Sequence, residues 1–317
     1  MDNLTHSLIG AALGQAGLKR KTGLAMPALI IAANLPDIDA PCVLYGVESL
    51  AMRRGITHGP IALVLLPLVL AGLLIAFDRW QARRGKRPEG RLPVHTGWLI
   101  ALCYIGILTH PFFDWLNSYG IRLLEPFSHQ WFYGDALFIV DPWILAMLGA
   151  GIWLSRRRER AGADQWRKPA KRALIGICAY VLLNMAITTG AFKGLRYDGP
   201  NVQVYNPVPI AFWRREVLWR DDGERYVIDR PEFFGAAQSS ITDERHWSDY
   251  KDFGPTNMSD PRITEWSKSD PAAKAFLFWS RMPVAELHDD HIILRDQRFL
   301  GSPASGQFTV TLRKPNP

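Results

Sequence analysis

The stretch that decides the fold is residues 61–77, IALVLLPLVLAGLLIAF, which carries no charged side chain over 17 residues. A helix needs about 17–25 mostly apolar residues to cross a bilayer, so this run predicts a membrane span. Pro67 lies inside the run, and a membrane helix tolerates a proline because neighbouring helices can satisfy the freed carbonyl group. A chain built around such a run is expected to be a membrane protein.

Three further apolar runs follow the first. They are residues 97–109, residues 136–154, which contain one charge, and residues 173–192. The last two are long enough to span a bilayer, whereas residues 97–109 are short. The sequence therefore predicts a multi-pass α-helical membrane domain over residues 1–192.

Two shorter apolar segments, residues 4–18 and 24–35, precede the long run. We predict a hairpin of two short helices, because Gly10 and Gly14 are spaced for close contact between helices in a membrane. The first segment does not resemble a secretory signal peptide, because its basic residues follow the apolar run instead of preceding it.

Beyond residue 192 the composition changes, with more Pro, Asp and Trp and no further run of spanning length. Short stretches typical of β-strands are punctuated by Pro and Gly. They lie at residues 202–205, 217–219, 226–228, 291–294 and 308–312, and a helix is predicted over residues 272–279. We therefore predict an extramembrane α+β domain over residues 193–317 with a mostly antiparallel sheet.

The charges indicate how the helices are oriented. Residues 1–192 hold 20 Lys and Arg against 12 Asp and Glu, a net charge of +8. Of those 20 basic residues, 17 lie in three clusters, at residues 19–21, 79–91 and 156–172. This is the pattern of cytoplasmic membrane loops, so the excess charge reports topology, and no nucleic-acid partner is expected.

Because basic residues concentrate in the cytoplasmic loops of membrane proteins, the segments between the basic clusters are assigned to the opposite side of the membrane. Residues 36–60, residues 110–135 and the domain at residues 193–317 are then extracytoplasmic. We expect a multi-pass protein of the bacterial inner membrane whose C-terminal domain is periplasmic.

Four short polar motifs lie at the ends of the apolar segments. The predicted orientation of the helices places all four at the outer face of the membrane. They are Thr5-His6, Asp37-Ile38-Asp39, Arg53-Arg54 with Thr57-His58, and Thr109-His110 with Asp114. His and Asp ligate zinc and similar cations. Ionisable groups at a membrane boundary are costly and therefore indicate function.

We predict that three His and three Asp of these motifs hold one or two divalent ions, with zinc as the expected metal. The predicted ligands are His6, Asp37, Asp39, His58, His110 and Asp114. His110 and Asp114 are four residues apart and share a helix face if the helix continues past Pro111. The alternative is a structural network of hydrogen-bonded residues at helix ends.

Three residues are candidates for catalytic roles. Asp37 could bridge a second ion or act as a general base, and Arg53 or Arg54 could neutralise a phosphate. The two arginines could equally pair with lipid headgroups. A further metal-like motif, residues 288–291 (HDDH), could instead be a polar turn before a strand.

These motifs, in this order, resemble the YdjM-like, LexA-binding group of bacterial inner-membrane metal-dependent hydrolases over residues 1 to about 145. That family is more distantly similar to helical zinc-dependent phospholipases C and single-strand nucleases. The resemblance implies His6, Asp37 or Asp39, His58, His110 and Asp114 as metal ligands. This chain lacks the later His followed by His-x3-Glu that completes the three-zinc set of those enzymes.

The sequence thus predicts a membrane-embedded, metal-dependent hydrolase of phosphoester or ester bonds, working at the outer face of the inner membrane. Its expected partners are membrane lipids and a phospholipid or small-molecule ester substrate. The alternative is a non-enzymatic envelope or stress protein whose helices anchor the C-terminal domain. A transporter is the least favoured interpretation, because it would need charged residues deep in the membrane helices. Only Asp141 approaches such a position.

Overall fold

The computed structural model describes residues 1–194, 204–220, 225–229, 251–300 and 305–314. The chain divides into two compact units. The first unit comprises Met1–Ile38 and Arg54–Met185, and the second comprises Asp39–Arg53 and Ala186–Pro317.

The N-terminal part of the chain is helical, and its helices are separated by short loops and 3-10 turns. In chain order they are α1 (Asn3–Gln15), α2 (Ala25–Asn34), α3 (Ser49–Met52), α4 (Pro60–Arg83), α5 (Thr96–Trp115), α6 (Pro142–Arg160) and α7 (Lys168–Gly194). A 3-10 helix, Leu35–Glu48, connects α2 to α3, and a 3-10 turn, Ile56–His58, precedes α4.

Four stretches of the described residues are long and apolar enough to cross a membrane. They are Ala25–Met52, Pro60–Arg83, Thr96–Trp115 and Lys168–Thr189. The predicted runs at residues 61–77, 97–109 and 173–192 correspond to the last three of these. A helical region with four candidate spans, followed by small antiparallel sheets, confirms the predicted fold class.

Helix α6 is not among the four candidate spans, although residues 136–154 had been expected to form one. The helix begins only at Pro142, because Asp141 caps it by accepting hydrogen bonds from the backbone N–H groups of Trp143 and Ile144. The arginine cluster starting at Arg156 then ends its apolar part early. The same carboxylate accepts a hydrogen bond from Tyr180, which gives Asp141 a structural role.

Helix α2 packs directly against the backbones of both α1 and α5. A Cβ atom built on Gly10 of α1 would lie 2.6 Å from the carbonyl oxygen of Leu29. A Cβ atom on Gly106 of α5 would lie 2.7 Å from the Cβ of Ala32. The predicted close contact at Gly10 is therefore confirmed, and α5 approaches α2 in the same way.

Among the residues that the structure describes, the second unit contains α3, the end of α7, two antiparallel sheets and two further helices. The first sheet has the order β1 (Val204–Pro207), β2 (Arg215–Arg220), β3 (Arg225–Asp229), β4 (Lys251–Pro255), and the second has the order β5 (Pro283–Leu287), β6 (His291–Asp296), β7 (Thr309–Arg313). The helices are α8 (Pro261–Ser267) and α9 (Pro271–Trp279). All five predicted strands and the predicted helix are present, while β4, β5 and α8 had not been predicted.

The core beside the second sheet is aromatic. The Trp279 ring at the end of α9 stacks on Phe299 and Phe308, with centroid distances of 5.6 and 5.1 Å. The HDDH motif lies at the turn between β5 and β6, where the rings of His288 and His291 stack on each other. It therefore forms the polar turn before a strand.

We expect the substitution Gly106→Ala to destabilise the first unit, because the added methyl group would overlap Ala32 and an overpacked core typically costs about 1–3 kcal/mol. Gly72→Ala in α4 is the matched control, since its added Cβ would meet nothing within 4 Å. Thermal unfolding in detergent should show a lower midpoint for Gly106→Ala only. Equal midpoints for the two variants would contradict the close packing of α5 on α2.

Candidate metal centre

Four side chains that could ligate a metal meet where the end of α2, the start of α4 and the last turns of α5 come together. They are Asp37, His58, His110 and Asp114, and all four are buried. Asp37 follows α2 in the 3-10 helix, and His58 ends the turn before α4. Helix α5 continues through Pro111, so His110 and Asp114 lie on one face of it, as the sequence predicted.

The glycines of the packed helices help to bring these residues together. His110 follows Gly106 by one helical turn, and His6 precedes Gly10 by one turn. Near His58, a Cβ atom on Gly59 would lie 2.0 Å from the carbonyl oxygen of Glu125. Backbone contacts that require glycine thus flank three of the histidines near the site.

The distances between the four ligand atoms suit a single ion. The Nε2 atoms of His58 and His110 are 3.2 Å apart. They lie 3.8 and 3.7 Å from Asp37 Oδ1, and 3.7 and 3.5 Å from Asp114 Oδ2. In a tetrahedral site with bonds of about 2.0–2.1 Å, neighbouring ligand atoms are about 3.3–3.4 Å apart. These five separations are close to those of a tetrahedral zinc-type site, and all four ligand atoms lie within 4.8 Å of one another.

Both histidines make a second contact that orients the ring. His110 Nδ1 lies 2.7 Å from the carbonyl oxygen of Ala33, to which it donates, and this leaves the Nε2 lone pair facing the other ligands. His58 Nδ1 lies 2.9 Å from the hydroxyl oxygen of Thr57. Metal-binding histidines usually hold such a partner on the second ring nitrogen, because it fixes the tautomer.

The protonation state of His58 also suits a ligand. Burial lowers its pKa well below the usual value, and the neighbouring His110 adds to the effect. The ring is therefore neutral at neutral pH, which is the form that binds metals. The donor set of two neutral imidazoles and two buried carboxylates fits a divalent cation, whose charge would offset the cost of burying both carboxylates.

Arg54 lies directly beside this group of ligands. Its Nε is 3.1 Å from Asp114 Oδ2, and its Nη1 donates to Asn117 Oδ1 and to the Gly120 carbonyl at 3.2 and 3.3 Å. The guanidinium also lies over the Tyr119 ring, 4.5 Å from its centroid. These contacts hold a buried positive charge in one position.

The backbone of Arg54 is strained, with a φ of 55° in the left-handed region. Residues other than glycine adopt this conformation rarely, and such strain clusters at functional sites. The contacts of the guanidinium with Asp114, Asn117 and Tyr119 provide the compensation.

His6 lies at the edge of the group. Its ring stacks on that of His110 with centroids 3.9 Å apart, and its Nε2 is 3.3 Å from Asp114 Oδ1. The amino group of Met1 also contacts the Asp114 carboxylate. Burial lowers the pKa of His6 well below the usual value, so this ring is neutral as well.

Two of the predicted site residues, the metal ligand Asp39 and the phosphate-binding candidate Arg53, belong to the second unit. Asp39 is buried, and its Oδ1 lies 4.0 Å from Nε of Arg53. Neither is a member of the four-residue group. The carbonyl of Ala33 and the ring of Tyr119 were not foreseen, because no sequence pattern marks a backbone acceptor or a stacking partner.

Comparison with known proteins places the helical part of the chain in a family. Residues 1–191 match the family model described as "YdjM inner membrane protein". The "Uncharacterized protein YfhP" of Bacillus subtilis (strain 168) is 27% identical over 164 residues, which cover 48% of this chain and 46% of that protein. No solved structure matches the chain. The chain belongs to the YdjM inner membrane protein family.

Proposed function

We propose that this protein is a metal-dependent hydrolase embedded in the inner membrane that cleaves a phospholipid or another ester at the outer face. The observation that carries the proposal is the buried group of two imidazoles and two carboxylates with Arg54 fixed beside it. A structural network of hydrogen bonds would not require these four atoms to lie within 4.8 Å of one another.

Zinc is the metal we propose, because mixed imidazole and carboxylate donors at these distances suit it. Asp37, His58, His110 and Asp114 would hold the ion, with His6 next to Asp114. When bound, such an ion polarises the scissile group and makes water acidic enough to attack near neutral pH. Asp37 remains the candidate for a general base or a bridge to a second ion.

Arg54 is better placed than Arg53 to act on a substrate phosphate. Its guanidinium is buried next to Asp114, whereas that of Arg53 lies near Asp39 and is partly exposed. A positive charge held in place before the reaction would balance the negative charge that develops on a phosphate oxygen. The ion pair with Asp114 would also keep that ligand oriented.

An open cavity supports a lipid substrate. It has a volume of about 380 Å³ and reaches Asp37. Apart from Asn34 and Asp37, its lining is apolar, and it consists of Ile30, Ile31, Leu35 and Ile38. Because this segment belongs to the candidate span Ala25–Met52, the cavity offers an apolar path from the bilayer to a proposed ligand.

The location at the outer face rests on the charges. Helices α1, α4 and α6 each end at a basic cluster, and α5 begins just after the cluster at residues 79–91. The ligands His58, His110 and Asp114 lie at the opposite ends of α4 and α5. Basic clusters mark the cytoplasmic side, so the metal centre is assigned to the other side.

We expect the full chain, purified in detergent, to bind about one equivalent of zinc by plasma mass spectrometry. His110→Ala should lose most of the metal, because the site then lacks one of four ligands. His291→Ala, at the start of β6 in the second unit, should keep it. Equal zinc content in both variants would remove the basis for the proposed site.

The catalytic role of Arg54 can be tested with the zinc-loaded protein on phospholipid and carboxylic ester substrates. Removing a preorganised charge from a developing oxyanion typically costs about 10²–10³-fold in rate, so Arg54→Gln should lose that much kcat. Arg172→Gln, at the basic end of α7, should retain full activity. A zinc-loaded wild-type protein that hydrolyses none of these esters would instead favour the anchor alternative.

Topology can be measured with reporter fusions in cells. A fusion in residues 110–135 should report the periplasm, and one in residues 156–172 should report the cytoplasm, which requires α6 to cross the membrane although it is not among the four candidate spans. A cytoplasmic result for residues 36–60 would contradict the outer-face location, because that segment carries Asp37 and His58.

A further inference from the structure

A second cavity lies in the first unit between α1, α2 and α6, and its volume is about 380 Å³. Four of its lining residues have apolar side chains: Ala11, Met26, Ile30 and Ile152. The polar ones are Gln15, Lys19, Arg156, Glu159 and Arg160. The cavity is thus apolar on one side and charged on the other.

This cavity is far from the proposed metal centre. Gln15, at its rim, lies nine residues after His6 in α1, or about 14 Å along the helix axis at 1.5 Å per residue. Arg156 and Arg160 lie in the last turns of α6, within one of the three basic clusters. The polar side of the cavity therefore lies at the end of the helices that carries the positive charge.

The charges at the rim do not cancel. The ammonium group of Lys19 pairs with the Glu159 carboxylate, lies 3.2 Å from Gln15 Oε1 and sits over the ring of Trp166. Within the described part of the chain, no carboxylate pairs with Arg156 or Arg160. These two arginines are four residues apart, so they project from the same face of α6. Two exposed guanidinium groups thus remain at the mouth of an apolar cavity.

We propose that this cavity binds an anionic membrane lipid, with its phosphate on Arg156 and Arg160 and an acyl chain on the apolar lining. Guanidinium groups suit phosphate because of their planar, forked donors. Basic pockets between membrane helices are known to bind the headgroups of anionic lipids. A free phosphate ion would leave the apolar side without an occupant. The cavity shares Ile30 with the cavity that reaches Asp37, but its two arginines take no part in the proposed hydrolase reaction.

The test compares phosphatidylglycerol, phosphatidylcholine and inorganic phosphate as ligands of the full chain in detergent, by native mass spectrometry and thermal shift. Wild-type protein should bind phosphatidylglycerol more tightly than phosphatidylcholine. Each basic residue near an anionic surface adds about 1 kcal/mol, so the double variant Arg156→Gln/Arg160→Gln should weaken phosphatidylglycerol binding about thirtyfold. Inorganic phosphate should not compete.

The matched control is Arg79→Gln/Arg83→Gln, which removes two exposed arginines with the same spacing from the basic end of α4. It should bind phosphatidylglycerol as the wild type does. Arg156→Lys/Arg160→Lys should retain most of the binding, because it keeps both charges. Equal loss in the two glutamine variants would show general attraction to basic loops and overturn the site. Tight binding of inorganic phosphate, or no preference for phosphatidylglycerol, would also overturn it.

Discussion

The first unit depends on the close approach of two helices to α2. Gly10 of α1 and Gly106 of α5 each bring a helix so near that one added methyl group would overlap Leu29 or Ala32. Inside a membrane, apolar side chains gain little by moving from lipid to protein, so such backbone contact is the main source of packing energy. It also brings His6, His110 and the carbonyl of Ala33 to one end of the three helices.

Helices α2 and α5 both contribute to the proposed metal centre at that end. The backbone of α2 supplies the acceptor that orients His110, and α5 supplies the Asp114 carboxylate one turn later. Burying two carboxylates without a nearby cation would carry a large free-energy penalty. Arg54 and the amino group of Met1 both contact Asp114, and a divalent ion would also offset the charge of Asp37.

The sequence predicted much of this because the relevant patterns are long or repeated. Three spans followed from runs of apolar residues, and the spacing of His110 and Asp114 became a shared helix face once α5 continued through Pro111. Helix α6 starts later than the apolar run at residues 136–154, since Asp141 caps the helix instead of lying inside it. Strands β4 (KDFGP) and β5 (PVAEL) did not stand out, because Lys, Asp, Gly, Pro, Ala and Glu are uncommon in strands. The orienting carbonyl of Ala33 leaves no trace in the sequence.

The central claim is that two imidazoles and two carboxylates hold one divalent ion. X-ray absorption spectroscopy of the zinc-loaded protein tests it most directly. We expect about four nitrogen or oxygen scatterers at about 2.0–2.1 Å, with the outer-shell pattern of two imidazole rings. A first shell of sulfur, or one of oxygen without imidazole scattering, would contradict the account.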